Sequence, residues 1–138
     1  LRFDEKIGEI AAKYGMGLIL MHLRGTFEKL HEQEPVADIL REVSEGFRWS
    51  LTKAERFGID AQSIALDIGI GFSKTFSQNL ELLAKLGKLV TDFAKYPILV
   101  GTSRKSFIGK ITGEPEAEKR LAGSLSSAAV AVWNGAKI

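Results

Sequence analysis

Cysteine is absent, which removes disulfides, thiolate nucleophiles and cysteine-ligated zinc from the possible chemistry. Histidine is scarce: His22 and His31 are the only two, without the spacing of a metal site. No apolar run approaches the roughly 18 residues of a membrane span, and no signal-peptide pattern is visible. Nineteen basic against seventeen acidic residues leave a net charge of +2. With no basic run to concentrate that excess, neither nucleic acid nor an anionic membrane is implied as a partner. A cytoplasmic protein is the expectation.

What is present suits one domain with a real core. The 138 residues are 45% hydrophobic and 26% charged. Leu1 to Tyr14 has a helical pattern, with Phe3, Ile7, Ile10, Ala11 and Tyr14 on one face and Gly15 as the stop. Leu18 to Met21 is a short buried strand, followed by His22 and a charged loop to about Glu34. Pro35 to Phe57 holds helical spacing, with Gly58 beyond it. Ile64 to Leu66 is the next buried strand and delivers Asp67. A helix beginning near Ser77 turns Leu80, Leu83, Leu86 and Val90 inward. Ile98 to Val100 is a third strand, too short and too uniformly apolar to be a helix. A last helix from near Glu116 faces Leu121, Leu125, Ala128 and Val132 inward and ends at Gly135. Lys137 and Ile138 open a further strand. Helices alternating with lone apolar strands, without hairpin signals, indicate an α/β fold with a parallel sheet.

In such sheets chemistry gathers at the carboxyl ends of the strands. Three of the ends carry polar groups: Met21-His22, Asp67, and Ser103-Arg104-Lys105-Ser106. Asp67 is the most telling, because a carboxylate straight after an apolar strand must be paired or hydrogen-bonded. A ligand with two adjacent N–H donors would satisfy it; capping the following turn, or pairing with Lys105, are the alternatives. Gly69 and Gly71 match neither the phosphate loop nor the dinucleotide fingerprint, since Ser73 and Lys74 stand where glycines belong. His22 reads as a satisfied structural histidine, and Trp49 and Trp133 as packing residues.

The segments LILMHLRG (18–25), LDIGIGFSKT (66–75), LVGTSRKSFIG (99–109) and KRLAGSL (119–125) together resemble the dihydropteroate synthase family of pterin-binding enzymes. The resemblance covers essentially the whole chain. It implies a TIM (β/α)8 barrel, of which residues 1–138 would be about the C-terminal half, from the fourth helix to the start of the eighth strand. That fold typically takes roughly 250 residues. It also implies folate biosynthesis: condensation of hydroxymethyl-dihydropterin pyrophosphate with p-aminobenzoate, giving dihydropteroate and pyrophosphate, with magnesium assisting. Asp67 would hold the pterin's amino and ring N–H edge, and Lys105 its carbonyl and ring nitrogen. Met21 and Gly101 would wall the pterin slot. Phe72, Lys105 and Ser106 would line the p-aminobenzoate pocket, where sulfonamides compete.

Some family features are expected outside these residues, including the magnesium ligand and the phosphate-binding Arg-Val-His motif. The isolated chain is therefore expected to lack turnover and to associate with itself or a complementary half. Three further departures lie in the glycine turn: Ile68 and Ile70 are apolar for apolar, whereas Ser73 for Gly is costly if that turn needs positive φ. A pterin-binding methyltransferase on the same barrel is an alternative that the Ser-Arg-Lys-Ser motif disfavours. A non-catalytic α/β binding domain is the other.

Overall fold

A computed structural model describes residues 1–25 and 34–138; the expectation for His31 lies outside them. Three strands, β1 (Leu18–Met21), β2 (Ile64–Asp67) and β3 (Ile98–Leu99), form one parallel sheet in chain order. Lys137 and Ile138 extend it, with the Lys137 N–H donating to the Ile98 carbonyl at 2.9 Å and Val100 N–H to Ile138 at 3.0 Å. Before, between and after the strands lie α1 (Lys6–Tyr14), α2 (Ile39–Arg56), α3 (Phe76–Ala84), α4 (Leu86–Asp92), α5 (Ser106–Thr112) and α6 (Leu121–Trp133). This is about half of a (β/α)8 barrel. Among the described residues no helix is long and apolar enough to cross a membrane.

Register places Leu20, Leu66 and Ile98 in one row, and all three are buried in the core. Val43 and Phe47 of α2, Leu82 of α3 and Leu86 and Leu89 of α4 belong to the same core. Burying each such side chain contributes roughly 1.5–3 kcal/mol. Phe47 meets Phe93 edge to face, with ring centroids 5.3 Å apart. Because side chains alternate along a strand, the next row (Met21, Asp67 and Leu99) lies on the opposite face. That face also carries Ile19, which is 59% exposed. So β2 is a buried strand as expected, β1 is not, and of the third strand, expected to be buried on both faces, only Ile98 is fully buried.

Several boundaries and faces differ from the sequence reading. α2 begins at Ile39, not Pro35, because the Asp38 carboxylate accepts the Arg41 N–H at 2.9 Å and caps it. The helix expected from Ser77 to Val90 is two helices that meet at Lys85. There the Asn134 side chain donates to the Leu83 carbonyl at 2.9 Å, taking the acceptor a continuous helix would give to residue 87. Thr75 and Gln78 form a capping box at the start of α3. α5 was not foreseen: seven residues are too few for periodicity to show, yet Phe107 and Ile108 are buried.

The inward faces assigned to the outer helices are corrected. On α1 only Gly8 and Ala11 are buried, while Ile7, Ile10 and Tyr14 are exposed, as is Phe3 ahead of the helix. On α6 the buried residues are Ser124 and Ala131; Leu121, Leu125 and Val132 face outward. Trp133 is 91% exposed and Trp49 43%, so neither is a core packing residue. Apolar periodicity marked a face on each helix without saying against what it packs.

Candidate functional site

The parallel register pairs Met21 with Asp67 and Asp67 with Leu99, so the strand ends line up on one rim. Asp67 is half-buried. Its Oδ1 accepts the Gly69 N–H at 2.7 Å, which is the turn-capping role. Oδ2 has no partner among the described residues, so the carboxylate keeps one oxygen and further lone pairs for a ligand. Burial raises the Asp67 carboxyl above the usual range, opposed by the Gly69 bond and by the nearby Lys105 and Lys74 cations. No ion pair with Lys105 forms.

Lys105 reaches Phe72 instead, its Nζ lying 4.2 Å from the ring centroid. Such a cation–π contact contributes roughly 0.5–2 kcal/mol, more as water is excluded. The lysine stem passes close over Gly71, where an added Cβ would come within 3.2 Å of Lys105 Cδ and φ is 83°. Gly71 is thus the residue that lets the cation approach. Ser106 opens α5 and is exposed, as is Gly101 after β3. A Cβ on Gly101 would meet nothing within 4 Å, so the space beside it is open.

The polar stretch 102–106 is not uniformly available. Thr102 is buried, its hydroxyl donating to the Ser124 carbonyl at 3.2 Å. Arg104 has φ 53° and donates its N–H to Ser124 Oγ at 2.8 Å. Arg120 then ties the Arg104 carbonyl (3.2 Å) to that of Glu114 (3.0 Å). The KRLAGSL segment therefore acts as a frame for the Lys105 loop, a role that its spacing alone did not disclose.

Sequence reading also missed the inward clamp on the glycine turn. Lys74 Nζ donates to the carbonyls of Gly69 (2.9 Å), Phe72 (3.0 Å) and His22 (3.4 Å). Arg24 binds the same turn through Ser73 and pairs with Glu42 of α2 at 3.5 Å. The available signal was a lysine and a serine inside a glycine-rich turn, whose inward carbonyls need donors.

His22 is buried against Gly46 of α2, where an added Cβ would lie 2.5 Å from its ring. Its Nδ1 is buried without a hydrogen-bond partner among the described residues, so the expectation of a satisfied histidine is corrected. Burial, reinforced by Lys74, Arg2 and Arg24, lowers its pKa to about 3 and keeps it neutral. It lines a cavity of about 420 Å³ with Arg2, Met21, Glu42, Glu45 and Trp49. Among the described residues no three His, Asp or Glu gather to hold a metal ion.

A family model described as "Pterin binding enzyme" matches residues 1–138. The dihydropteroate synthase of Synechocystis sp. is 37% identical over 136 residues, covering 99% of this chain and 46% of that protein. Among solved structures, dihydropteroate synthase from Stenotrophomonas maltophilia, with imidazole bound in its active site, superposes with a TM-score of 0.91 at 31% identity. The match covers 98% of this chain and 50% of that one. The Thermus thermophilus enzyme, solved in complex with 6HMPPP and separately with 4-aminobenzoate, gives a TM-score of 0.88 at 30% identity. It is matched over 96% of this chain and 52–53% of that one. The chain spans about half the length of the relatives it matches. On sequence and on three-dimensional shape together, this chain belongs to the pterin-binding enzyme family.

Proposed function

We propose that residues 1–138, one partial pterin-binding barrel domain, carry the pterin and p-aminobenzoate grip of a dihydropteroate synthase. The observation that carries the reading is the register that sets Met21 beside Asp67, together with the Lys105 ammonium, which lies over the Phe72 ring and near the Asp67 carboxylate. Carboxylate, cation and aromatic ring thereby share one end of a parallel sheet, the end at which ligands bind in such folds.

In this proposal Asp67 accepts N–H bonds from the pterin edge through its free Oδ2 and the remaining capacity of Oδ1. Donors on both oxygens hold the carboxylate ionised against the effect of burial. Lys105 donates to the pterin carbonyl and ring nitrogen, and Met21 and Gly101 wall the slot. Phe72, Lys105 and Ser106 border the p-aminobenzoate. Its amine forms the new C–N bond at the pterin methylene carbon as the C–O bond to pyrophosphate breaks. The bonding pair leaves on pyrophosphate, and the amine loses a proton. Positioning and charge stabilisation do this work, and no nucleophilic side chain is required. Magnesium enters only through the family resemblance, and no step is assigned to it.

The proposal includes two further parts. The chain turns over no substrate by itself, and it associates with a second copy or a complementary half. Support for association comes from the outward apolar residues of α1 and α6 and from exposed Ile19 on β1. A cytoplasmic setting completes it.

Calorimetric titration with the dihydropterin pyrophosphate tests the central claim. Saturable binding that Lys105→Ala abolishes supports it. A folded chain that takes up no pterin overturns it.

A further inference from the structure

Lys74 turns its ammonium back across the glycine turn instead of out to solvent. The three donors of its Nζ meet three backbone carbonyls, those of Gly69, Phe72 and His22. Around it stand Asp67 of β2, Glu42 of α2, Arg24 after β1 and Lys105 before α5, with buried His22 beside it. None of the carboxylates forms an ion pair with it. Two of the bound carbonyls matter for the grip. One belongs to Phe72 itself, and the other to Gly69, whose N–H holds Asp67 Oδ1 at 2.7 Å. Gly69 also fits only as glycine, since a Cβ there would lie 2.0 Å from the His22 carbonyl oxygen and 3.2 Å from Lys74 Nζ.

We propose that Lys74 is a positioning residue: by binding these three carbonyls its ammonium sets where the Phe72 ring and the Asp67 carboxylate stand. It thereby sets the affinity for an aromatic amine against Phe72. The ligand's identity rests on the function proposed above; the positioning role does not. A neutral amine offers two donors and a methionine none, so either leaves buried carbonyls unpartnered. Arginine keeps both charge and donors. Burial pulls the Lys74 ammonium down to about 7, with Asp67 and Glu42 opposing, so the third donor is lost near neutral pH.

The test uses the whole chain with labelled phenylalanine and glycine, followed by NMR, in wild type, Lys74→Met and Lys74→Arg. Expected is a shift of the Phe72 ring and Gly69 amide signals in Lys74→Met, reversed toward wild type in Lys74→Arg. Wild type should also show a Phe72 titration near pH 7 that both variants lack. With pterin present, p-aminobenzoate binding should weaken about tenfold in Lys74→Met, equivalent to ~1.4 kcal/mol. That loss should shrink in a Phe72→Leu background, because the two residues act as a unit. Phe72 and Gly69 signals that superimpose in Lys74→Met and wild type overturn the proposal, as do strictly additive losses. If Lys74→Met does not fold, Lys74→Gln takes its place, and Phe72 and Gly69 signals that superimpose in that variant and wild type overturn the proposal. If wild type binds neither ligand, the proposed function fails, and the NMR comparison alone decides the role of Lys74.

Discussion

The Ser73 side chain bonds the Arg24 backbone twice across two strand-end loops. The Ser73 hydroxyl donates to the Arg24 carbonyl at 2.9 Å and accepts the Arg24 N–H at 3.2 Å. Ser73 does this at φ 54°, a conformation that favours glycine. The serine that departs from the family's glycine thus carries a backbone cost and a compensating pair of bonds. The hydroxyl is what makes the residue tolerable there.

Ser73→Ala and Ser73→Gly separate those two effects. Alanine keeps the left-handed strain and loses both bonds, and should destabilise by roughly 1–3 kcal/mol. Glycine loses the bonds but also the strain of about 1–2 kcal/mol, and should come out closer to wild type. Urea denaturation orders them; glycine the worse of the two would contradict the account.

Gly69 and Gly15 form a matched pair. Both have positive φ, 67° and 61°, but only Gly69 would drive a Cβ into backbone, at 2.0 Å from the His22 carbonyl oxygen. Gly15→Ala should cost about 1 kcal/mol from conformation alone. Gly69→Ala should cost several-fold more or prevent folding, because the strand-end loops must separate. Equal melting temperatures for the two variants would show that the close approach is absent.

His22 makes stability depend on pH in a defined direction. Its folded pKa, about 3, lies below the ordinary 6.5, so the unfolded chain takes up the proton first. The stabilisation is complete above pH 6.5 and declines toward pH 3, at up to about 1.4 kcal/mol per pH unit. His22→Gln should flatten the portion between pH 6.5 and 5, ahead of most carboxylate titration. Denaturant midpoints across that window measure it, and an unchanged slope in the variant would remove His22 as its source.

Association is checked by light scattering. The chain should exceed monomer mass at micromolar concentration. Glutamate at Leu125 and Val132, or at Ile7 and Ile10, should lower that mass, since each pair of side chains is exposed on one helix. A well-folded wild-type monomer would contradict the proposal.

Phe72→Leu should weaken p-aminobenzoate binding while leaving pterin affinity nearly unchanged. The leucine removes the ring that Lys105 overlies but leaves Asp67 and its turn in place. Titrations with each ligand separate the two effects, and equal losses for both would argue against a divided grip.

Strand identity, chain order and the rim were legible in the sequence because short apolar runs between helical patterns have few other solutions. Asp67 stood out because a carboxylate after Ile64-Ala65-Leu66 needs a partner. Lys74 and Arg24 were not legible as clamps, since their partners are carbonyls, which every residue carries. α5 and the break at Lys85 escaped for a related reason: a seven-residue helix shows no period, and the bond from Asn134 to Leu83 joins distant positions.

What the sequence determined by itself was local and periodic: three short apolar strands in a parallel order, helices between them and a polar rim at the strand ends. Tertiary structure decided which apolar faces are covered, because burial depends on what stands opposite and not on the pattern of one helix. It also decided that Ser73 can replace a glycine and that His22 stays neutral. Both follow from groups brought together across long separations, where the cost of a strained or desolvated residue is offset, or left standing, by its neighbours.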